Sequence, residues 1–300
     1  MKSATKWKTS SGIPRAGTAC ACSVNMRARL FTTSLVLALG WTRIASAQSW
    51  LGPERRDVSL LRGDIWATVT APAHISGRDV APIGLAAAVI LAAVPYDSSI
   101  HNWIVSHPHS SLVRVITPFR ERQVLPLDGF GSWEYLLPLS AGLYSSGRLA
   151  HDASRRDAGL GCAAAHLSSV GLREIVYLGV SRVRPSETSD PMQITIPGRR
   201  PWADHSFLSG HIANSMACAS FLAHRFHVGL GAPAMYAYAS AIGAGRIADG
   251  WHWTSDTIAG GALGYAIGKF IAGRQLARAA VATKVAQPTD PLTVTWRISF

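Results

Sequence analysis

The sequence predicts an all-α fold, a single helical bundle, on three observations. Hydrophobic residues make up 48% of the 300 and charged residues only 15%, against about a quarter in an average soluble domain, so apolar helices must be buried or face lipid. The apolar stretches are rich in Ala, Leu and Gly, with few β-branched runs and no period-2 alternation. The breaks between them carry turn chemistry. Arg148 to Asp157 is polar, Pro185 to Pro201 holds four prolines, and Asp249-Gly250 is a turn dipeptide.

Taken in order, residues 1–47 read as a signal peptide or N-terminal anchor. They hold seven Lys and Arg and no acid. Arg27 and Arg29 give a basic start, Leu30 to Leu39 a short apolar run, and Ala45-Ser46-Ala47 a small-x-small cleavage site before Gln48. Met26 stands directly before this pattern, so residues 1–25 read as an extended n-region or an overlong gene assignment.

Residues 48–130 form an N-terminal helical arm of the domain. Gln48 to about Arg78 is mixed and polar, an irregular stretch with a short helix. Ala81 to Val94 ends at Pro95 and reads as a buried helix, short for a bilayer. A polar segment with His and Pro continues to Gly131.

Residues 131–275 form the core, with helices over Trp133 to Ser146, Ala158 to Val180, Ser209 to Phe226, Ala232 to Gly245 and Thr254 to Ala272. Gly260, Gly261, Ala262, Gly264, Ala266 and Gly268 would let helices approach closely. Residues 276–300 are a C-terminal tail, with Pro288 and Pro291 in its surface part. Cys162 and Cys218 read as two small buried side chains, with a disulfide as the alternative for an exported protein.

The formal charge of +12 does not indicate nucleic acid. Without the first 47 residues, 22 basic residues face 17 acidic ones, with no backbone-tracking stripe. The leader predicts export to the periplasm or cell envelope. Val228 to Gly245, an uncharged run of 18 residues, keeps an integral membrane form open.

Three segments carry chemistry. In Gly245 to Gly260, Arg246 is followed after five residues by His252 and after three more by Asp256. A histidine attacks phosphorus through one ring nitrogen when the other holds its proton in a fixed direction, and a nearby carboxylate supplies that direction. Arg246 offers a charged fork for phosphate oxygens. In Ser206 to Asn214, Ser209-Gly210-His211 stands at the mouth of an apolar helix. Free N–H groups there attract anions, and His211 can protonate a leaving oxygen. In Tyr177 to Pro185, Arg184-Pro185 presents a guanidinium where a helix must end.

In this order the segments resemble the signature motifs of the type-2 phosphatidic acid phosphatase (PAP2) and vanadium haloperoxidase superfamily: Lys-x6-Arg-Pro, Pro-Ser-Gly-His and Ser-Arg-x5-His-x3-Asp. The resemblance covers about residues 130 to 275. It implies a helical bundle of that type and a phosphatase acting on phosphate monoesters, lipid phosphates or diphosphates. His252 would attack, oriented by Asp256, and His211 would protonate the leaving alcohol. Arg184, Arg246, Ser209 and Gly210 would hold the phosphate. No metal or other cofactor is implied. Vanadate enters only under the alternative of halide oxidation by peroxide.

Three positions depart from the pattern: Leu208 for proline, Gly245 for serine, and Tyr177 for lysine. Tyr177 removes a cation, and losing one such contact costs about 10²- to 10³-fold in rate. Arg173, one turn earlier on the same helix face, is the candidate substitute. The same losses also suit a catalytically silent, phospholipid-binding homologue.

Overall fold

A computed structural model describes residues 52–116, 131–196 and 205–286. The leader, the tail from Gln287, and Arg199 with Arg200 lie outside the described residues. The helices are α1 (Gly52–Thr70), α2 (Gly77–Ala93), α3 (Asp97–Ser106), α4 (Ser111–Ile116), α5 (Trp133–Leu149), α6 (Ala153–Gly179), α7 (Gly210–Phe226), α8 (Gly231–Ala248) and α9 (Thr254–Ala286). Between α6 and α7 a short strand β1 (Ser181–Arg182) pairs antiparallel with β2 (Ile194–Thr195), within the expected proline-rich loop. The described fold is an all-α bundle.

Local chemistry marks the helix ends. The Asp152 carboxylate accepts from the Ser154 and Arg155 amides and opens α6. His227 takes a left-handed conformation, φ 50°, and closes α7. Ser76 and Asp79 form a reciprocal capping box at the start of α2.

The central pair is α7 and α9, which run parallel. A Cβ on Gly260 would fall on the Ser209 carbonyl, one on Gly264 on that of Ala213, and one on Gly268 on that of Ala217. The small-residue stripe of α9 therefore lies directly on the α7 backbone, as its composition predicts. α6 runs antiparallel to α7: Gly161 meets Phe221, and Arg173 meets Gly210. Consequently the end of α6 and the starts of α7 and α9 share one end of the bundle.

Three expectations are corrected. Cys162 and Cys218 form a disulfide between α6 and α7. The antiparallel packing sets their Cα atoms 4.6 Å apart, inside the range a disulfide spans. The helix over Ala81 to Val94 is not buried: no residue of α2 is, and Leu85 and Leu91 are 68% and 69% exposed. Its apolar composition meets no protein layer on most of its surface. The N-terminal stretch is also more regular than expected, with the 19-residue α1 held to α9 by Arg278 and Arg274, which both donate to the buried Asp64 carboxylate.

Candidate active site

The shared end of the bundle collects the predicted residues. His211 occupies the first turn of α7, with Ser209 and Gly210 before it, and Arg246 the last turn of α8. His252 stands between Gly250, at φ 69°, and the start of α9. Both helix N-termini bring the positive ends of their dipoles to this region.

Burial and charge act together on the two imidazoles. Burial, then Arg246, Arg173 and Arg184, pushes His211 down to about 3. Burial first, then Arg246, holds His252 well below the usual histidine range, with Arg184 and His211 acting in the same direction. Both rings are therefore neutral at neutral pH. Each feels Arg184, Arg246 and the other ring or Arg173, so these groups share one neighbourhood.

The arginines are arrayed around an indole. Trp251 carries Arg184 with its guanidinium carbon 4.6 Å from the ring centroid and Arg246 at 5.0 Å. Arg184 Nη2 donates to the His205 carbonyl at 3.5 Å, while its buried Nε makes no hydrogen bond. Ser209 Oγ is likewise buried without a partner. An oxyanion would satisfy such donors.

A third arginine lies beside the start of α7. The Arg173 side chain lies on Gly210, where any Cβ would collide with its guanidinium. Glycine at 210 is thus required for that close approach. Tyr177 stacks on His205 with ring centroids 4.4 Å apart and donates its hydroxyl to the Leu208 carbonyl at 3.1 Å. Leu208 is buried against Ala213 and Ala259, so the residue in place of the family proline contributes packing as well as the turn.

One expected contact is corrected. Asp256 does not orient His252 directly: His252 Nδ1 lies 2.7 Å from the Ser206 carbonyl. Asp256 instead accepts from Ser206 Oγ at 2.5 Å, Arg182 Nη1 at 2.5 Å and the Trp253 amide at 3.0 Å. The reason is local. His252 precedes α9 while Asp256 lies in its first turn, so the four-residue spacing is not a helix face. The carboxylate turns back to cap its own helix.

Sequence reasoning missed Arg182, Asp97, Ser206 and Trp251. Arg182 Nη2 donates to Asp97 at 2.7 Å, and Asp97 also accepts from the Ser255 amide at 2.9 Å and hydroxyl at 2.6 Å. Asp97 and Asp256 are 1% and 0% exposed. The only available signal was a second arginine two residues before Arg184.

Residues 158–278 match the model of the PAP2 superfamily. Among solved structures, the chain is similar to the first transmembrane PAP2 type phosphatidylglycerolphosphate phosphatase from Bacillus subtilis. The identity is 19%, over 74% of this chain and 96% of that one, with a TM-score of 0.39. No curated protein matches the sequence. The matched residues 158–278 contain every residue that the sequence assigns to the site.

Proposed function

We propose that this protein is a phosphatase of lipid phosphates, working through a phosphohistidine. The observation that carries the reading is the shared environment of His211 and His252, two neutral imidazoles, the first half-buried and the second buried, both in the field of Arg184 and Arg246. Nε2 of neutral His252 attacks phosphorus, forming a P–N bond as the ester P–O bond breaks. His211 gives the departing oxygen its proton. Water then attacks, His211 takes its proton, and phosphate leaves with the P–N bond broken. Arg184, Arg246 and Arg173, with the amides at the start of α7, hold the equatorial oxygens throughout.

His211 is unprotonated in the absence of an anion, so its proton must arrive with the substrate. A phosphate monoester monoanion brings one and also offsets the field that pushed the ring down. The placement of Arg173 on Gly210 favours this reading over a silent homologue, because a cation again stands beside the anion site.

Three features support a lipid substrate and an envelope location. Gly77–Ser106, 30 residues with an 18-residue window of mean hydropathy 1.8, is long and apolar enough to cross a membrane, alone among the described residues. A cavity of about 390 Å³ lined by Ile100, Trp103, Leu112, Ala244 and Ile247 adjoins the segment of Arg246. Its walls suit an acyl or isoprenyl chain. The disulfide fits an oxidising compartment, in keeping with export.

The test is phosphate release from phosphatidic acid, phosphatidylglycerolphosphate, an isoprenyl diphosphate and a small soluble ester, with His252→Ala beside the wild type. Turnover of at least one lipid, reduced about 10⁴-fold or more in the variant, is expected. An acid-labile, alkali-stable phosphoenzyme should form in the wild type alone. Turnover that survives His252→Ala, or none on any substrate, overturns the proposal.

A further inference from the structure

The buried ion cluster beside the site joins Asp256 of the third motif to two residues that the motifs do not specify, Arg182 and Asp97. Arg182 is 7% exposed and spends its guanidinium on four partners: Asp256, Ser255 Oγ at 2.8 Å, Asp97, and the Pro191 carbonyl at 2.7 Å. One cation thus joins carboxylates from α3 and α9. Two buried carboxylates around one guanidinium are costly unless their hydrogen bonds are saturated, and here each carboxylate has three donors.

The cluster converges on Ser206. The Ser206 amide donates to the Arg182 carbonyl at 3.0 Å, and its hydroxyl donates to Asp256 at 2.5 Å. The remaining Ser206 carbonyl faces His252 Nδ1 at 2.7 Å. A carbonyl can only accept, so it selects the ring form with the proton on Nδ1 and leaves the Nε2 lone pair free. Arg182 therefore acts on Ser206 twice, through its own backbone and through Asp256. The Asp256 carbonyl also accepts from the Ser209 amide at 3.1 Å, which ties the start of α7 to the same unit.

We infer that Arg182 and Asp97 are positioning residues, which hold Asp256 and Ser206 so that the Ser206 carbonyl fixes the ring tautomer and direction of His252. Asp97 anchors the far side of the guanidinium and the first turn of α9, so the relay runs Asp97, Arg182, Asp256, Ser206, His252. Neither residue touches the anion site itself.

The inference rests on His252 being the nucleophile, and its test has a readout independent of turnover. In ¹⁵N-histidine-labelled protein at neutral pH, His252 should show a single Nδ1–H tautomer. Arg182→Gln should turn that signal into a mixture of tautomers, and Asp97→Asn should do so to a smaller degree. With a substrate that the wild type hydrolyses, Arg182→Gln should lower kcat by about 10²- to 10⁴-fold with KM nearly unchanged, because Arg184, Arg246 and Arg173 remain. An unchanged His252 signal, a KM that rises in step with the loss of kcat, or loss of the fold in both variants overturns the inference. Altered tautomers in a protein whose wild type releases no phosphate would sink the catalytic reading and leave the relay standing.

Discussion

The two halves of the α7–α9 pair use burial in opposite ways. From Ala213 onward the pair is mostly apolar and close-packed: Gly264 and Gly268 seat α9 on the α7 backbone, Phe221 is fully buried, and a disulfide ties α7 to α6. Toward Ser209 the same two helices enclose neutral imidazoles, guanidinium groups and a buried hydroxyl without a partner. Small residues give the first half rigidity, and its buried Asn214, Ser215 and Ser220 donate to backbone carbonyls. The second half keeps polar groups dehydrated, which costs about 1–3 kcal/mol for each unpaired one. The comparison shows how a rigid, inexpensive half lets the other half keep donors aimed at an anion rather than at each other.

Breaking the packed half should have the largest effect. Replacing Cys162 and Cys218 together by alanine opens a link across 56 residues, worth about 4 kcal/mol by loop entropy. Thermal or urea unfolding should record that loss, while kcat of the folded fraction stays near wild type. A comparable fall in kcat would show that the halves are not separable.

Breaking the charged half should give the reverse pattern. Arg173→Ala should lower kcat/KM by about 10²-fold, within the cost of one lost anion contact, and leave the unfolding midpoint almost unchanged. Steady-state kinetics beside a melting curve reads both. Wild-type kinetics would return Arg173 to the role of a helix-surface residue paired with Glu174 at 2.7 Å.

A third effect, which reads both halves together, is the pH dependence of stability. Burial first, then Arg173, pushes His166 to about 4, and His211 stands at about 3. Both folded values lie below the ordinary 6.5, so the unfolded chain binds more protons below that pH. Their stabilising contribution is complete above pH 6.5 and is lost as pH falls toward 4 and 3, at about 1.4 kcal/mol per pH unit for each ring. Orthophosphate should blunt the part due to His211, which faces the anion site. Melting curves at pH 7 and pH 5, with and without phosphate, separate the two; a flat profile would contradict this account.

The sequence by itself determined the helices of the core, the small-residue seam of α9, and the order of the residues that meet at the site. Ala, Leu and Gly content with polar breaks encodes helices locally, and residues a few positions apart in a motif stay together in any fold. It also offered Arg173 as the candidate cation, because helix periodicity sets that residue one turn from Tyr177. Only the tertiary structure decided that α2 is exposed, since an apolar face suits a protein neighbour and a lipid equally well. Only it paired Cys162 with Cys218, a contact set by the antiparallel α6 and α7. The relay through Asp97, Arg182 and Ser206 was equally hidden. Its partners lie up to 85 residues apart, and a buried charge chooses its counter-ion from whatever the packing of distant helices brings within reach.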